Sequence, residues 1–400
     1  MSWEKGINVK NVSTIIAGSQ VFLGVGAIEK MGFIAEQLKA KGIDSIIAVT
    51  GKAAYASTGA WDHVTKALDA QGIRYALYNK VQPNPETHQV DEAVKMAKEA
   101  GAKAVIAIGG GSPIDAGKSV AILMEYPGKT CRELYEGKFA AEKAVPVIAI
   151  NLTHGTGTEI NRFAVVSIPE LNFKPAIAYP CIYPLYSIDD PALMTGLPAN
   201  QTRYVSIDAV NHVVEAVSTV LNNPFSVTLG REVNTLIAKY LPAALKDPND
   251  LTARYFLTYA AMIAGTSFDN GMLHFTHALE HPLSGIKTDL SHGLGLAVLL
   301  PAVIKTVYPA SAATLAEVLS PMVPGLTGDP GEAQKAADGI YAWLKSVGVP
   351  EKLGDIGFKK EDVPKLVQLT FDTPILSVLL SCAPVPSGKD VVEKIYSESF

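Results

Sequence analysis

The sequence predicts an α/β domain with a mostly parallel sheet over residues 1–197, followed by an all-α domain over residues 198–400. Three observations predict it. The first half alternates apolar, β-branched runs with amphipathic segments, and convincing strands disappear from about Pro198 onward. The 400 residues, 48% hydrophobic and 18% charged, also exceed the size at which a single core usually keeps growing.

Taken in order, SIIAVTG (45–51), YALY (75–78), AVIAIGGGS (104–112) and VPVIAINLT (145–153) are strand-like runs, each followed or ended by a polar or turn residue. Between them, TGAWDHVTKALDAQG and THQVDEAVKMAKEAG repeat apolar residues at three and four positions and end on glycine, as helices do. That rhythm is βαβ, hence a parallel sheet covered by helices. FAVVSI (163–168) and KPAIAY (174–179), joined by PELNF, read as paired strands added to the same sheet. TRYVSIDAVNHVVEAVSTVL, REVNTLIAKYLPAAL and GEAQKAADGIYAWLKSVG then carry helical periodicity. No internal repeat or low-complexity tract stands out.

A net charge of −5 without a block of consecutive Lys or Arg argues against a nucleic-acid or polybasic membrane surface, so the expected partner is a small molecule. Cys131, Cys181 and Cys382 are odd in number and far apart, which fits a reducing compartment better than a disulfide framework. MSWEKGINVK lacks the basic, apolar, small-residue progression of a leader, and no window is read as approaching the roughly 18 apolar residues of a membrane helix. A cytoplasmic protein is the expectation.

In AVIAIGGGSPIDAGKS three glycines close a strand and SPID opens a helix, with Ser112 as the expected N-cap and Pro113 at the first helical position. Such an end offers backbone N–H groups and a positive dipole, and glycines let a pyrophosphate approach, so Gly109, Gly110, Gly111 and Ser112 form a candidate phosphate cradle. GVGAIEKMG, from Gly24, is a weaker candidate because it lacks the third glycine of GxGxxG. GxxxxGK[ST] is missing, which excludes P-loop chemistry. The tip of SIIAVTG is Gly51 followed by Lys52; without an acidic residue there to hold the adenosine ribose, the reading leans toward NADP.

The segment HFTHALEHPLSGIKTDLSHG holds four of the eight histidines. His277 and His281 stand four apart, as do Asp208 and His212 in SIDAVNHVVEAV, and residues four apart share a helix face. Carboxylate and imidazole suit a divalent metal. From spacing alone the ligand set is Asp208 and His212 with two of His274, His277, His281 and His292, and a remaining histidine would be free to carry a proton. A metalloprotease is disfavoured, because HExxH requires its glutamate directly after the first histidine, whereas Glu280 directly precedes the second.

IGGGSPIDAGK, THGTGTE, IDAVNHVVEA, HALEHPLSG and SHGLGLAVLLPAVI, in this order, resemble the iron-containing (group III) alcohol dehydrogenases over nearly the whole chain. The resemblance implies the dehydroquinate-synthase-like fold, with an α/β nucleotide-binding domain, an all-helical metal-binding domain and a cleft between them. It implies Asp208, His212, His277 and His292 as metal ligands, His281 beside the nicotinamide in proton transfer, and a structural His274. For the cofactor it implies Gly51, Asn84, Gly110, Gly111, Ser112, Asp115, Thr153, Gly155, Thr156, Gly157 and Lys174.

Three departures stand out. Members preferring NAD usually carry aspartate where Gly51 stands; His154 replaces a small residue, altering the expected space near the nicotinamide; and SGIKTDLSHG is slightly long. The expected activity is reversible oxidation of a small primary alcohol to an aldehyde with NAD(P), leaning to NADP, on Fe²⁺ or alternatively Zn²⁺. FDNGMLHFTH suggests a partly apolar pocket. The competing readings are a zinc-dependent glycerol-type dehydrogenase, a dehydroquinate-synthase relative, which would need more basic residues than Lys287 in the histidine segment, and a non-catalytic nucleotide or metal sensor. The expected state is a homo-oligomer, a dimer or larger.

Overall fold

The computed structural model describes residues 15–400, so MSWEKGINVK lies outside the described residues. The chain packs as two compact units. One comprises Gly18–Leu197 with Pro248–Tyr259; the other comprises Pro198–Asp247, Ala260–Phe400 and, among the described residues, 15–17.

In the first unit, β1 (Gln20–Leu23), β2 (Ser45–Gly51), β3 (Arg74–Val81), β4 (Val105–Gly109), β5 (Val147–Asn151) and β8 (Tyr186–Asp189) form one sheet. Its order is β1-β8-β5-β4-β2-β3 and every pair is parallel. The helices of this unit are α1 (Met31–Ala40), α2 (Ala54–Ser57), α3 (Ala60–Ala70), α4 (Thr87–Glu99), α5 (Gly111–Met124) and α6 (Cys131–Tyr135). The period of two along β2 sends Ile46 and Ala48 into a core with Ile34 and Leu38 of α1 and Val64 and Leu68 of α3. Ile47 and Val49 enter a second core with Val90 and Val94 of α4 and Val120 of α5. A sheet covered on both faces is why its strands read as continuous apolar runs.

The sheet differs from expectation in two places. β6 (Phe163–Val165) and β7 (Ala176–Ala178) pair antiparallel as a separate two-stranded sheet and do not extend the large one. β8, unseen in the sequence, lies between β1 and β5.

The strand order also creates a switch point. After β2 the chain goes to β3 on one side, and after β4 it goes to β5 on the other, so the connections leave the adjacent β2 and β4 in opposite directions. Crevices of this kind, beyond the carboxyl ends of the strands, are where open α/β sheets bind ligands. Register pairs Thr50 with Ile108, which brings the strand ends Gly51 and Gly109 out side by side.

The remaining helices are α7 (Ala199–Ser218), α8 (Pro224–Lys246), α9 (Leu251–Gly271), α10 (Phe275–Ile286), α11 (His292–Leu319), α12 (Ala333–Ser346), α13 (Val363–Asp372), α14 (Leu376–Ser381) and α15 (Lys389–Glu398). No strand follows β8 among the described residues. α7 is buried without interruption from Val205 to Ser218, which makes it the central helix of its unit.

One sequence expectation fails here. α11 is long and apolar enough to cross a membrane by length and composition, yet 67% of its most apolar window is buried inside the protein, as in a core helix.

Candidate active site

The interior of α7 carries Asp208, His212 and Glu215 on turns where no water can solvate them, so each needs a partner. Around Asp208 Oδ1 stand three imidazole nitrogens: His212 Nε2 at 3.3 Å, His277 Nε2 at 3.5 Å and His292 Nε2 at 3.9 Å. His277 comes from the first turn of α10 and His292 is the first residue of α11. Asp208 Oδ1 and His277 Nε2 are buried without a hydrogen-bond partner. Ligand atoms bound tetrahedrally at about 2.1 Å from an ion stand roughly 3.4 Å apart; those of Asp208, His277 and His292 all lie within 4.8 Å of one another, close to that spacing, while His212 joins them through Asp208.

The far sides of two of these rings are held by carboxylates. His277 Nδ1 pairs with Glu215 Oε2, and His292 Nδ1 pairs with Glu280 Oε2. His212 is held differently, its ring stacked between Phe268 at 4.4 Å and His277 at 4.8 Å. Phe268, expected as pocket lining, thus packs directly on a candidate ligand.

The electrostatics follow from burial and these pairs. Burial opposes ionisation of Asp208, but His212, His277 and His292 outweigh it and hold the carboxyl well below the usual range. Burial lowers His277 too, yet Glu215 and Asp208 dominate and keep it up at about 9, so without a metal this ring holds a proton that a cation would displace. Burial pushes His212 down to about 4, the neutral form a ligand needs.

His281 follows His277 by one turn, is 3% exposed and has its ring 5.9 Å from that of His292. Its possible ligand atom groups with Glu280 and His292, not with Asp208. His274 is fully buried and turns away from the cluster: its Nδ1 accepts from Phe275 N at 2.7 Å, which leaves Nε2 to donate to Ser218 Oγ at 2.9 Å. Lys287, the basic residue of the histidine segment, donates to the Ile356 carbonyl at 2.7 Å and lies over the Phe358 ring.

Glu215 and Glu280 were missed as functional candidates. Glu215 stands seven residues after Asp208 on the same helix, a spacing that puts both on one face. Glu280 lies inside the HALEH motif itself.

In the other unit Gly51 and the 109–112 turn lie at the adjacent strand ends of the switch point. α5 starts two residues earlier than expected: Gly110 is its N-cap, no side chain caps it, and Ser112 sits inside the first turn. Gly109 has φ +154°, and a Cβ on it would fall 2.5 Å from Pro113 Cγ, so only glycine fits. Cβ atoms on Gly110 and Gly111 would fall 2.8 Å from Thr153 and 2.7 Å from Thr156, which shows the two loops lying against each other. Thr153 Oγ1 is buried with no hydrogen-bond partner, and the uncapped α5 N-terminus beside it suits a pyrophosphate.

Asp115 uses both its oxygens within the chain, accepting from Thr158 Oγ1 at 2.6 Å and from Val165 N at 3.0 Å. Burial raises it to about 6, against the pull of Lys118. Lys118, fully buried on α5, places its ammonium against the carbonyls of Thr158, Asn161 and Phe163 at 2.6, 2.9 and 2.8 Å, shaping the chain that follows Thr153–Gly157. His154 points inward, its Nε2 bonded to Arg254 Nη1 at 2.9 Å. Asn84 is nearly buried with φ +53°, Lys174 is 4% exposed, and a Cβ on Gly51 would stand at ordinary contact distance from its nearest neighbour, Val81 O at 3.5 Å.

Comparison with known proteins agrees with this architecture. Residues 18–191 match the iron-containing alcohol dehydrogenase family, and residues 202–400 match the C-terminal domain of that family. The chain is 56% identical over 398 residues, covering 100% of both proteins, to a long-chain primary alcohol dehydrogenase of Thermoanaerobacter ethanolicus. Among solved structures, an archaeal halo-thermophilic Red Sea brine pool alcohol dehydrogenase superposes with a TM-score of 0.91 at 26% identity, covering 98% of this chain and 100% of the other. An NADH-dependent butanol dehydrogenase A of Thermotoga maritima superposes with a TM-score of 0.88 at 28% identity, covering 97% and 98%. The chain belongs to the iron-containing alcohol dehydrogenase family.

Proposed function

We propose that this alcohol dehydrogenase interconverts primary alcohols and aldehydes with NADP(H), using Fe²⁺, or alternatively Zn²⁺, held by Asp208, His212, His277 and His292. The observation that carries the reading is the convergence of three imidazole nitrogens on the buried Asp208 Oδ1, two from buried rings and one from the partly exposed His292. A divalent cation supplies Lewis acidity toward an alcohol oxygen and a nicotinamide supplies the hydride acceptor. His281, one turn from His277, carries the hydroxyl proton away. Gly110, Gly111, Ser112, Thr153, Gly155, Thr156 and Gly157 cradle the pyrophosphate, while Asp115 and Lys174 brace and line that site with Asn84. Gly51 leaves the adenosine ribose without a carboxylate beside it, which supports NADP.

The 56% identical relative is named for long-chain primary alcohols, so the proposed substrates extend beyond the small alcohols expected from sequence. Three free cysteines support a reducing, cytoplasmic location. A homo-oligomer completes the proposal and is checked by light scattering. The deciding assay offers aldehydes from ethanal to decanal with NADH and NADPH in parallel, alongside elemental analysis of protein purified without oxygen. Turnover with NADPH and one iron per chain is expected. A strong preference for NADH sinks the ribose argument, and binding without turnover sinks the enzyme reading.

A further inference from the structure

Glu215 is fully buried, yet its carboxylate lacks no partner. Its Oε1 accepts from three backbone amides at the start of α10: His274 N at 2.9 Å, Thr276 N at 2.9 Å and His277 N at 3.4 Å. The first amides of a helix have no partner within it, and a negative charge is stabilised there by the helix dipole. Glu215 therefore fills, from α7, the place that an anion would take at the α10 N-terminus.

Its other oxygen, Oε2, faces His277 Nδ1. An ionised carboxylate only accepts, so Nδ1 must carry the hydrogen and donate it. Nε2, directed at Asp208 Oδ1, is then the nitrogen that would give up its proton to a cation. Glu280 repeats the arrangement for His292: Oε2 faces His292 Nδ1 while Oε1 accepts from Ser284 Oγ, and His292 Nε2 turns toward Asp208.

We infer that Glu215 is a positioning residue that selects the metal-binding nitrogen of His277 while capping α10, and that Glu280 selects that of His292. This inference rests on the metal reading above. Its core is that one carboxylate fixes both the helix carrying a ligand and the hydrogen on that ligand's ring.

The two tasks separate in Glu215→Gln. The glutamine oxygen faces three backbone N–H groups, so it keeps the Oε1 position and the helix cap. Its amide NH₂ then faces His277 Nδ1 as a donor, which moves the ring hydrogen to Nε2, the nitrogen meant for the metal. Glu215→Ala removes both functions.

The test titrates Co²⁺ into metal-stripped wild type, Glu215→Gln, Glu215→Ala and Glu280→Gln. Its d–d absorption is read together with the melting temperature of each metal-free protein. Wild type is expected to take up one Co²⁺. Glu215→Gln is expected to melt like the metal-free wild type but to bind Co²⁺ about 10–100-fold more weakly, the usual effect of losing such a carboxylate. Glu215→Ala is expected to lose both melting temperature and affinity, and Glu280→Gln to lose affinity. A Glu215→Gln protein that binds Co²⁺ like wild type, or that melts as low as Glu215→Ala, overturns the inference while the metal reading stands. A wild type that takes up no Co²⁺ overturns that reading and the inference together.

Discussion

Arg254 Nη1 donates a hydrogen bond to His154 Nε2 at 2.9 Å, with both side chains buried. Burial first, then the Arg254 charge, pushes the His154 imidazole down to about 3, so it is neutral in the folded protein. The unfolded chain takes up a proton near pH 6.5 and the folded chain does not until near pH 3, so this site's contribution is complete above pH 6.5 and is lost as pH falls toward 3. In His154→Gln, whose amide oxygen can take the Arg254 hydrogen, the acid-side slope of stability should be shallower by up to about 1.4 kcal/mol per pH unit. Urea unfolding across that range measures it; equal slopes in the two proteins would remove His154 from the account of acid sensitivity.

Gly51 and Gly109 end neighbouring strands, and a Cβ on Gly51 would stand at ordinary contact distances from Val81 O and Pro113 Cγ, 3.5 and 4.0 Å. Gly51→Asp should therefore fold normally and present a carboxylate where a nucleotide ribose is expected. The ratio of kcat/KM for NADH to that for NADPH should rise roughly tenfold or more, about 1.4 kcal/mol. An unchanged ratio in a stable variant would show that the β2 tip does not read the ribose.

His277 and His281 lie one turn apart on α10 but face different neighbours, the first Asp208 and Glu215, the second the His292 ring. His277→Ala should lose the metal. His281→Ala should keep it while turnover falls by about 10²–10⁴-fold, the range for a lost acid–base group. Metal analysis beside steady-state kinetics separates the two, and equal metal loss in both variants would erase the distinction.

Lys118 offers a stability prediction. Its ammonium is fully buried among the carbonyls of Thr158, Asn161 and Phe163, so Lys118→Met strands acceptors that cannot reach water. A loss of about 3–5 kcal/mol is expected, comparable to breaking a buried charged network. Denaturant unfolding measures it, and a loss under 1 kcal/mol would mean that water enters the cage.

What the sequence showed, and what it hid, follows from how local each signal is. β2, β4 and β5 are apolar runs long enough to be recognised alone, and Asp208 and His212 or His277 and His281 announce themselves by helical spacing. β1 and β8 have four residues each, too few for a period to register, and owe their place to pairing with each other and with β5. FAVVSI and KPAIAY show that they pair but not with what, since a hairpin pattern says nothing about which sheet it joins. Ser112 looked like a cap because serine and proline favour that position, yet the close approach of Thr153 and Thr156 to Gly110 and Gly111 accompanies an earlier helix start. α11 is apolar enough for a membrane only because it is buried, a fact that composition alone does not carry. Glu215 and Glu280 were readable as residues but not as partners, because their roles depend on which ring nitrogen a folded neighbour turns toward them.

Those same glutamates also settle a matter of charge. Asp208, Glu215 and Glu280 place three carboxylates around neutral imidazoles, one more than the positive charges of a divalent ion. A loaded centre of this composition would carry a slight excess of negative charge in a buried, low-dielectric setting. A second anion would be repelled there, and the α10 N-terminus, a natural place for one, is already filled by Glu215. An anion approaching such a loaded centre would meet that excess charge, whereas a neutral alcohol or aldehyde would not.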